Sequence, residues 1–519
     1  MATVQGHEFG GDIASTQERL SVTNPATGEP VADVPAMSAE QTRTLVERAR
    51  RAQPDWEALG FEGRAQVMRD MRKWVVDNRD RVLRTLTEES GKSWVDAQIE
   101  LHYVAGNLGF WAKRSAKYLA DERARPGSPL LLGRKLVNRY RPYGVVGVIG
   151  PWNYPLINNF GDSIPALMAG NTVGLKPAQL TPLSSILMEQ GLRAAGAPDD
   201  VFLVATGTGG TVGAALVDSV DMLHFTGSTE VGKNLAAQAA ERLLPVTLEL
   251  GGNDPMIVLE DADIERAANA AVWGSMQNGG QTCISVERVY VEGDAYEPFV
   301  AKVLANVRSL RQGAASDGGR VDVGAVTSPG QFEVLEEHVR DAAAKGAEVR
   351  VGGRRRPGAG DFFEPTVLTG VDHSMKVMSE ETFGPVLPIM RVRGEEEALR
   401  LANDSALGLN SSVFAGDPAR GERLARRIES GGSVVNDVLS NYFATEIPLG
   451  GVKESGIGAR HGAAGIQKFC QRQNLVVTRF ALNKEIYYYP YNKLTARLLD
   501  AGLVLLYGRG SGRRRTGKR

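Results

Sequence analysis

Cysteine is almost absent from this chain, with only Cys283 and Cys470 among 519 residues. A disulfide framework is therefore not the expectation, although the pair could form one bridge by count alone, and so few cysteines in a large chain fit a reducing cytoplasm. Histidine is scarce too: six are scattered along the chain without metal-ligand spacing, so no metal is expected. No apolar stretch reaches the roughly 18 residues that a membrane-spanning helix needs. The first thirty residues, among them Glu8, Asp12, Glu18 and Arg19, hold no apolar core of signal-peptide type, and the cytoplasm is the expected location. Charge of one sign is also missing. Against 61 acidic residues stand 60 basic ones, a net of −1, which removes the electrostatic reason to expect nucleic acid as a partner. The exception is terminal, where Arg509, Arg513, Arg514, Arg515, Lys518 and Arg519 form a basic cluster with no acid among them.

What is present is an ordered succession of elements, in a chain too long for one core, so that two or three domains are expected. From Ala39 to Asp121 apolar residues recur at helical spacing, as in Leu45, Ala49, Ala52 and Trp56, then Val67, Met71, Val75 and Val76. Between 125 and 144 prolines and glycines break that pattern, and the mixed run Leu136–Tyr143 suggests a strand pair. Short apolar runs follow at Val145–Gly150, Thr172–Lys176, Val201–Ala205, Met222–Thr226 and Val246–Leu250, with helix-compatible stretches such as Ser184–Ala195 and Gly210–Asp218 between them. Apolar strands alternating with helices predict a doubly wound parallel sheet, which binds ligands at the carboxyl ends of its strands. A second alternating region runs from Asp261 to about Gly450, with strands near Val289–Glu292, Thr366–Leu368, Val386–Met390, Ser412–Ala415 and Ser433–Asn436.

Several motifs sit at the ends of these elements. Asn278-Gly279-Gly280-Gln281-Thr282-Cys283 places a thiol after a glycine-rich turn, where it could meet a carbonyl as nucleophile; a small buried residue is the plain alternative. Glu249-Leu250-Gly251-Gly252 ends an apolar strand with a carboxylate, a candidate base or a satisfied structural acid, followed by glycines that let a flat ring approach. Pro151-Trp152-Asn153-Tyr154-Pro155 offers the Asn153 amide to an oxyanion from a stiff turn. In Phe225-Thr226-Gly227-Ser228-Thr229-Glu230-Val231-Gly232 a strand passes through glycine into a helix start that could receive a pyrophosphate. Lys176-Pro177 closes another strand within reach of a ribose or phosphate.

Taken in order, PWNYP, KPA, FTGSTEVG, ELGG, GGQTC, EETFGPV and GGVKESG resemble the aldehyde dehydrogenase superfamily over about residues 20 to 480. The resemblance implies a dinucleotide-binding domain from residues 1–121 and 145–250 and an α/β catalytic domain from 251–450. A small β oligomerisation arm would come from 122–144 and 463–482, and a C-terminal extension from 483–519. It implies that Cys283 attacks an aldehyde, that Asn153 and the Cys283 N–H hold the oxyanion, and that Glu249 activates the water that hydrolyses the thioester left after hydride transfer. NAD or NADP would lie against Trp152, Lys176, Gln179, Gly227, Ser228, Leu250, Gly251, Glu381 and Phe383. Homo-dimers or homo-tetramers are implied as well.

Four positions depart from the family's habit. Gln179 stands where a glutamate often binds the adenosine ribose, which makes NADP plausible. Asn253 replaces a lysine after ELGG, Asp162 stands where a lysine is frequent, and Gln471 replaces a second glutamate near the catalytic cavity. The arginines with which succinate-semialdehyde enzymes grip a distal carboxylate correspond to Gly161 and Gln277. Yet QTCIS with ERVYV and DSIPALMAGN resemble a bacterial subgroup that carries that name. The loop Leu439–Phe443 could instead offer Tyr442 and Phe443 to an apolar aldehyde, so the expected substrate is either succinate semialdehyde or an apolar aliphatic or aromatic aldehyde. Between Lys493 and Tyr507, leucines at 494, 498, 499, 503, 505 and 506 precede the basic cluster, which suits either a peripheral membrane contact or packing on another subunit. Two rival functions are a catalytically silent member of the family and a cysteine hydrolase with His224 or His461 as base.

Overall fold

The computed structural model describes residues 18–315, 319–480 and 483–508. The basic cluster from Arg509 onward lies outside the described residues. By its contacts the chain divides into two compact units, one reaching to Leu119 and continuing from Arg141 to Gln471, the other formed by Ala120–Tyr140 and the residues from Arg472.

In the first unit the helical run expected between 39 and 121 is four helices, Ala39–Ala58, Gly60–Asp77, Arg79–Ser90 and Trp94–Tyr118. The first begins where Ser38 accepts from the Gln41 N–H while the Gln41 side chain accepts from the Ser38 N–H, satisfying two donors that a helix start leaves open. Its face of Leu45, Val46 and Ala49 packs on the strand Val145–Ile149. The same periodicity overreaches at Val76, which is 49% exposed.

Five of the predicted strands form the first large sheet, in the spatial order Val246–Glu249, Met222–Thr226, Val145–Ile149, Thr172–Lys176 and Phe202–Val204, all parallel. Both faces are covered, which is why these strands read as unbroken apolar runs rather than alternating ones. Chain order reverses between Val145–Ile149 and Met222–Thr226. That switch point opens a crevice at the carboxyl ends of the two strands, where the PWNYP loop and Gly227 emerge. An antiparallel strand not anticipated, Gly456–Ile457, closes the sheet beside Val246–Glu249 and carries residues from far along the chain to the ELGG turn.

The second sheet has seven strands, ordered Glu348–Val351, Thr366–Thr369, Val386–Val392, Val286–Glu292, Asp254–Val258, Ser412–Phe414 and Val434–Val435; the first is antiparallel. Asp254–Val258 lies inside this sheet yet precedes the alternation expected from Asp261, because Asp254 and Pro255 mask it as a loop. The hairpin Arg19–Thr23 and Pro30–Pro35 was not anticipated either.

In the second unit Glu122–Ala124 pairs antiparallel with Arg134–Pro142, the expected strand pair, and Cys470–Thr478 completes a three-stranded sheet. The segment expected as 463–482 therefore divides: the helix Gly462–Gln467 belongs to the first unit, where it packs on Trp94–Tyr118 and Asp162–Met168, because its Ile466 is apolar and wholly buried there. The helix Lys493–Tyr507 ends the described chain, and Leu494, Leu498, Leu503 and Leu505 are each more than half exposed.

Candidate active site

Cys283 follows a turn in which Asn278 and Gly279 adopt left-handed φ of 52° and 65°. Gln281 fastens that turn: its Nε2 donates to the Asn278 carbonyl at 2.8 Å and its Oε1 accepts from the Thr327 N–H at 2.8 Å. Cys283, partly exposed, lines a cavity walled by Ile99, Ile157, Trp273, Ile284, Leu439, Tyr442 and Phe443. Burial pushes the thiol up to about 12; Arg460 pulls it down, while Glu381, Asp254 and Glu249 add to the rise. A thiol so placed needs a base or a change of surroundings to become a nucleophile.

Asn153 reaches the same turn. Its Nδ2 donates to the Gln281 carbonyl at 2.8 Å, leaving a second amide N–H for another acceptor, and its Oδ1 has no partner. The loop is held from beneath by a pair that sequence reasoning missed. Lys92 and Glu100, 1% and 0% exposed, form a buried ion pair; Lys92 Nζ also donates to the Asn153 carbonyl at 2.8 Å, and Glu100 accepts from the Leu156 and Ile157 N–H groups. Tyr154 donates to Gln277 Oε1 at 2.7 Å and bonds Thr282 Oγ1 at 2.9 Å, joining the PWNYP loop to the cysteine turn.

Glu249 is 6% exposed, and its Oε1 lacks a hydrogen-bond partner. Burial pushes its carboxyl up, while Arg460 and Lys468 pull it down and Asp162 raises it again. Arg460 Nε lies 3.6 Å from Glu249 Oε2, and its Nη2 lies 3.2 Å from Asp162. Neither Arg460 nor Lys468 stood among the expected residues. A signal existed in Asp162, an acid where a lysine is frequent: burial alone would raise its carboxyl, but Arg460, His224 and Lys468 hold it at about 2. Gln471 is exposed on the surface.

The expected cofactor residues fall around the crevice. Lys176 is 5% exposed and, among the described residues, bonds only the Pro177 carbonyl, at 2.9 Å; burial pulls its ammonium down to about 8. A buried cation without a carboxylate suits a polar ligand group. Gln179 is exposed just beyond it. Gly227 and Ser228 lead into the 13-residue helix Thr229–Glu241, whose free N–H groups and dipole favour a phosphate. Leu250 is buried, its N–H donating to the Ser455 carbonyl. Glu381 Oε1 accepts from the Gly252 N–H at 2.9 Å, and a side chain on Gly251 would meet Glu381 Oε2 at 2.3 Å, so glycine there lets this carboxylate keep its place. Trp152 and Phe383 meet edge to face at 5.5 Å. Glu287, not anticipated, holds the Phe383 turn by accepting from the Thr382 and Phe383 N–H groups at 2.9 and 2.8 Å. Asn253 donates to the Glu380 carbonyl at 2.5 Å. These residues fit a dinucleotide.

His224 bonds Thr247 Oγ1 at 2.6 Å and His461 bonds the Tyr103 hydroxyl at 2.6 Å; burial pulls them to about 4 and about 3, and neither bonds Cys283. No group of three or more histidines, cysteines or acids that could hold a metal ion occurs among the described residues.

Residues 13–475 match the aldehyde dehydrogenase family model. A protein of Mycolicibacterium smegmatis provisionally named an NADP(+)-dependent succinate-semialdehyde dehydrogenase is 41% identical over 470 residues, 90% of either chain. A 4,4'-diapolycopene aldehyde oxidase of a Methylomonas species is 37% identical over 496 residues, 95% of this chain and 92% of that one. The crystal structure of succinate-semialdehyde dehydrogenase from Burkholderia pseudomallei superposes with a TM-score of 0.85 at 36% identity, covering 89% of this chain and 95% of that one. The chain belongs to the aldehyde dehydrogenase family. It is an NAD(P)-dependent oxidoreductase that converts an aldehyde to a carboxylic acid.

Proposed function

We propose that this dehydrogenase acts on apolar aliphatic or aromatic aldehydes, with Cys283 as nucleophile, Asn153 at the oxyanion and Glu249 as base. One observation carries the substrate reading: no charged side chain lines the cavity at Cys283. Its polar atoms serve each other, Gln277 and Tyr154 bonding Thr282 while Asn158 Oδ1 accepts from Arg460. A substrate carboxylate entering there would lose its water without gaining a cation, which is costly. Gly161 and Gln277, where arginines would be needed for a dicarboxylate product, are neutral.

In the chemistry so assigned, the Cys283 thiolate adds to the aldehyde carbon, and the oxygen takes the negative charge beside the Asn153 amide. The nicotinamide ring, when bound, supplies the hydride acceptor. Glu249 then removes a proton from the water that attacks the thioester, Cys283 leaves as thiolate, and the acid is released. Trp152, Lys176, Gln179, Gly227, Ser228, Leu250, Gly251, Glu381 and Phe383 would hold the cofactor. The neutral Gln179 supports NADP.

The names of the mycobacterial and Burkholderia relatives favour succinate semialdehyde as a second reading. Dinucleotide reduction with NADP and NAD over succinate semialdehyde, butanal, longer alkanals and benzaldehydes separates the two, with Cys283→Ala as the inactive control. The apolar reading expects kcat/KM for the best apolar aldehyde to exceed that for succinate semialdehyde by about tenfold or more. The reverse order sinks it.

Two partner readings complete the proposal. The nine-residue edge strand Cys470–Thr478, with Val476 and Val477 about half exposed, supports a homo-dimer or homo-tetramer assembled through strand pairing, which sedimentation velocity would read as mass. The exposed helix Lys493–Tyr507 beside a basic chain end supports peripheral contact with an anionic lipid surface. Its leucines face one side and Lys493, Arg497 and Asp500 the other, and vesicle co-sedimentation reads the contact directly.

A further inference from the structure

Behind the cavity wall lies a knot of charge centred on Arg460, which is 5% exposed. Nη1 donates to Asn158 Oδ1 at 2.8 Å and to the Tyr442 hydroxyl at 2.5 Å; Nη2 donates to Thr226 Oγ1 at 2.9 Å and lies 3.2 Å from Asp162 Oδ2. Only Nε is left over. It faces Glu249 Oε2 at 3.6 Å, too far for a hydrogen bond, and among the described residues neither Arg460 Nε nor Glu249 Oε1 has a hydrogen-bond partner. A buried polar group left open costs free energy until it is paired. A carboxylate movement of about 0.7 Å would close these two into a charge-assisted bond.

We infer that Arg460 is the dock of the base: the Glu249 carboxylate rests on Nε–H between turnovers, leaves it to take a proton from the attacking water, and returns. The remaining bonds of the guanidinium hold the dock rigid and tie it to Tyr442, the aromatic wall of the substrate cavity. Arg460 is thus a positioning residue that acts through Glu249, and the inference rests on Glu249 being the base. The charged and titratable groups that act on Glu249 are Arg460, Lys468 and Asp162, and Glu249 in turn acts on Cys283. Without Arg460 one cation, Lys468, remains against the cost of burial, so the carboxylate would ionise only at higher pH.

The test is the pH profile of kcat for the whole enzyme and for Arg460→Gln, Arg460→Lys, Glu249→Gln and the double variant Arg460→Gln/Glu249→Gln. Arg460→Gln is expected to lower kcat about tenfold or more at neutral pH and to move the acidic limb up by about one pH unit. Alkylation of Cys283 by iodoacetamide should persist, though more slowly, since Arg460 also pulls the thiol down. In the Glu249→Gln background the second substitution should cost nothing further. Arg460→Lys keeps the charge without the fork, so its limb should stay in place while kcat falls severalfold; this variant carries the test if Arg460→Gln does not fold. A uniform loss with an unmoved limb, multiplying losses in the double variant, or full activity of Arg460→Lys would overturn the dock. Full activity of Glu249→Gln would instead remove the base reading itself.

Discussion

The Asn153 side chain carries two amide hydrogens, and one is already given to the Gln281 carbonyl at 2.8 Å. That bond aims the amide at the turn bearing Cys283 and leaves the other hydrogen for the oxyanion proposed to develop during reaction. Donors fixed in advance are worth more than donors that must turn to meet the charge. Asn153→Ala should therefore lower kcat by about 10²–10³-fold, with dinucleotide binding by fluorescence quenching unchanged. A loss smaller than about tenfold would remove Asn153 from the oxyanion role. Lys92 and Glu100 support the same residue from below, through the Asn153 carbonyl and the backbone of Leu156 and Ile157. Their isolation from solvent makes each dependent on the other, since a buried charge that loses its partner is far costlier than a surface one.

Among the elements, the parallel strands owe their places to apolar runs covered on both faces, and the helices to stripes that cover them. The C-terminal helix Lys493–Tyr507 breaks this economy. Leu494, Leu498 and Leu505 share one line along it, Leu499, Leu503 and Leu506 a neighbouring one, and all stand exposed. At about 1.5 Å per residue the helix is too short to cross a bilayer, so the proposed lipid contact would run along the membrane surface. The full chain should co-sediment with vesicles containing phosphatidylglycerol, much less with phosphatidylcholine alone, and be released by high salt. A chain ending at Asn492 should stay in the supernatant. If the full chain ignores anionic vesicles at low salt, the lipid reading fails; if the truncation dissociates the oligomer instead, the face belongs to a second copy.

For the whole molecule, acid sensitivity follows from burial of imidazole. His461, 3% exposed, is pulled by burial to about 3, below its ordinary value of about 6.5. The unfolded chain gains that proton first, so the stability linked to this site is lost as pH falls from about 6.5 towards 3. Glu89, raised by burial to about 7, works in the opposite sense, since its folded form takes a proton before the unfolded one. Single-site comparison separates them. Between pH 7 and 5, His461→Asn should lose about 2 kcal/mol less than the unsubstituted chain in urea unfolding. Equal losses would mean that His461 is protonated in the fold.

Much of this protein is written in short stretches of sequence. Each parallel strand of the first sheet is a short, largely apolar run, and a covered parallel sheet demands no more than that. The nucleophile, the candidate oxyanion amide and the glycine turns are read from a few neighbouring residues each, because tight turns restrict which residues can stand in them. Asp254–Val258 was hidden because its opening Asp254-Pro255 reads locally as a turn, and only pairing with Val286–Glu292 and Ser412–Phe414 makes it a strand. The charged residues behind the site were hidden for a stronger reason. Arg460, Asp162 and Glu249 come from distant parts of the chain, as do Lys92 and Asn153, and nothing in their neighbours along the sequence marks them as partners. By itself the sequence determined the fold class and most of the elements, which local propensity and burial govern, and it marked Cys283 as the candidate nucleophile. The tertiary structure alone decided which buried charges meet, because the free energy of a buried charge depends on what packing brings within a few ångströms of it.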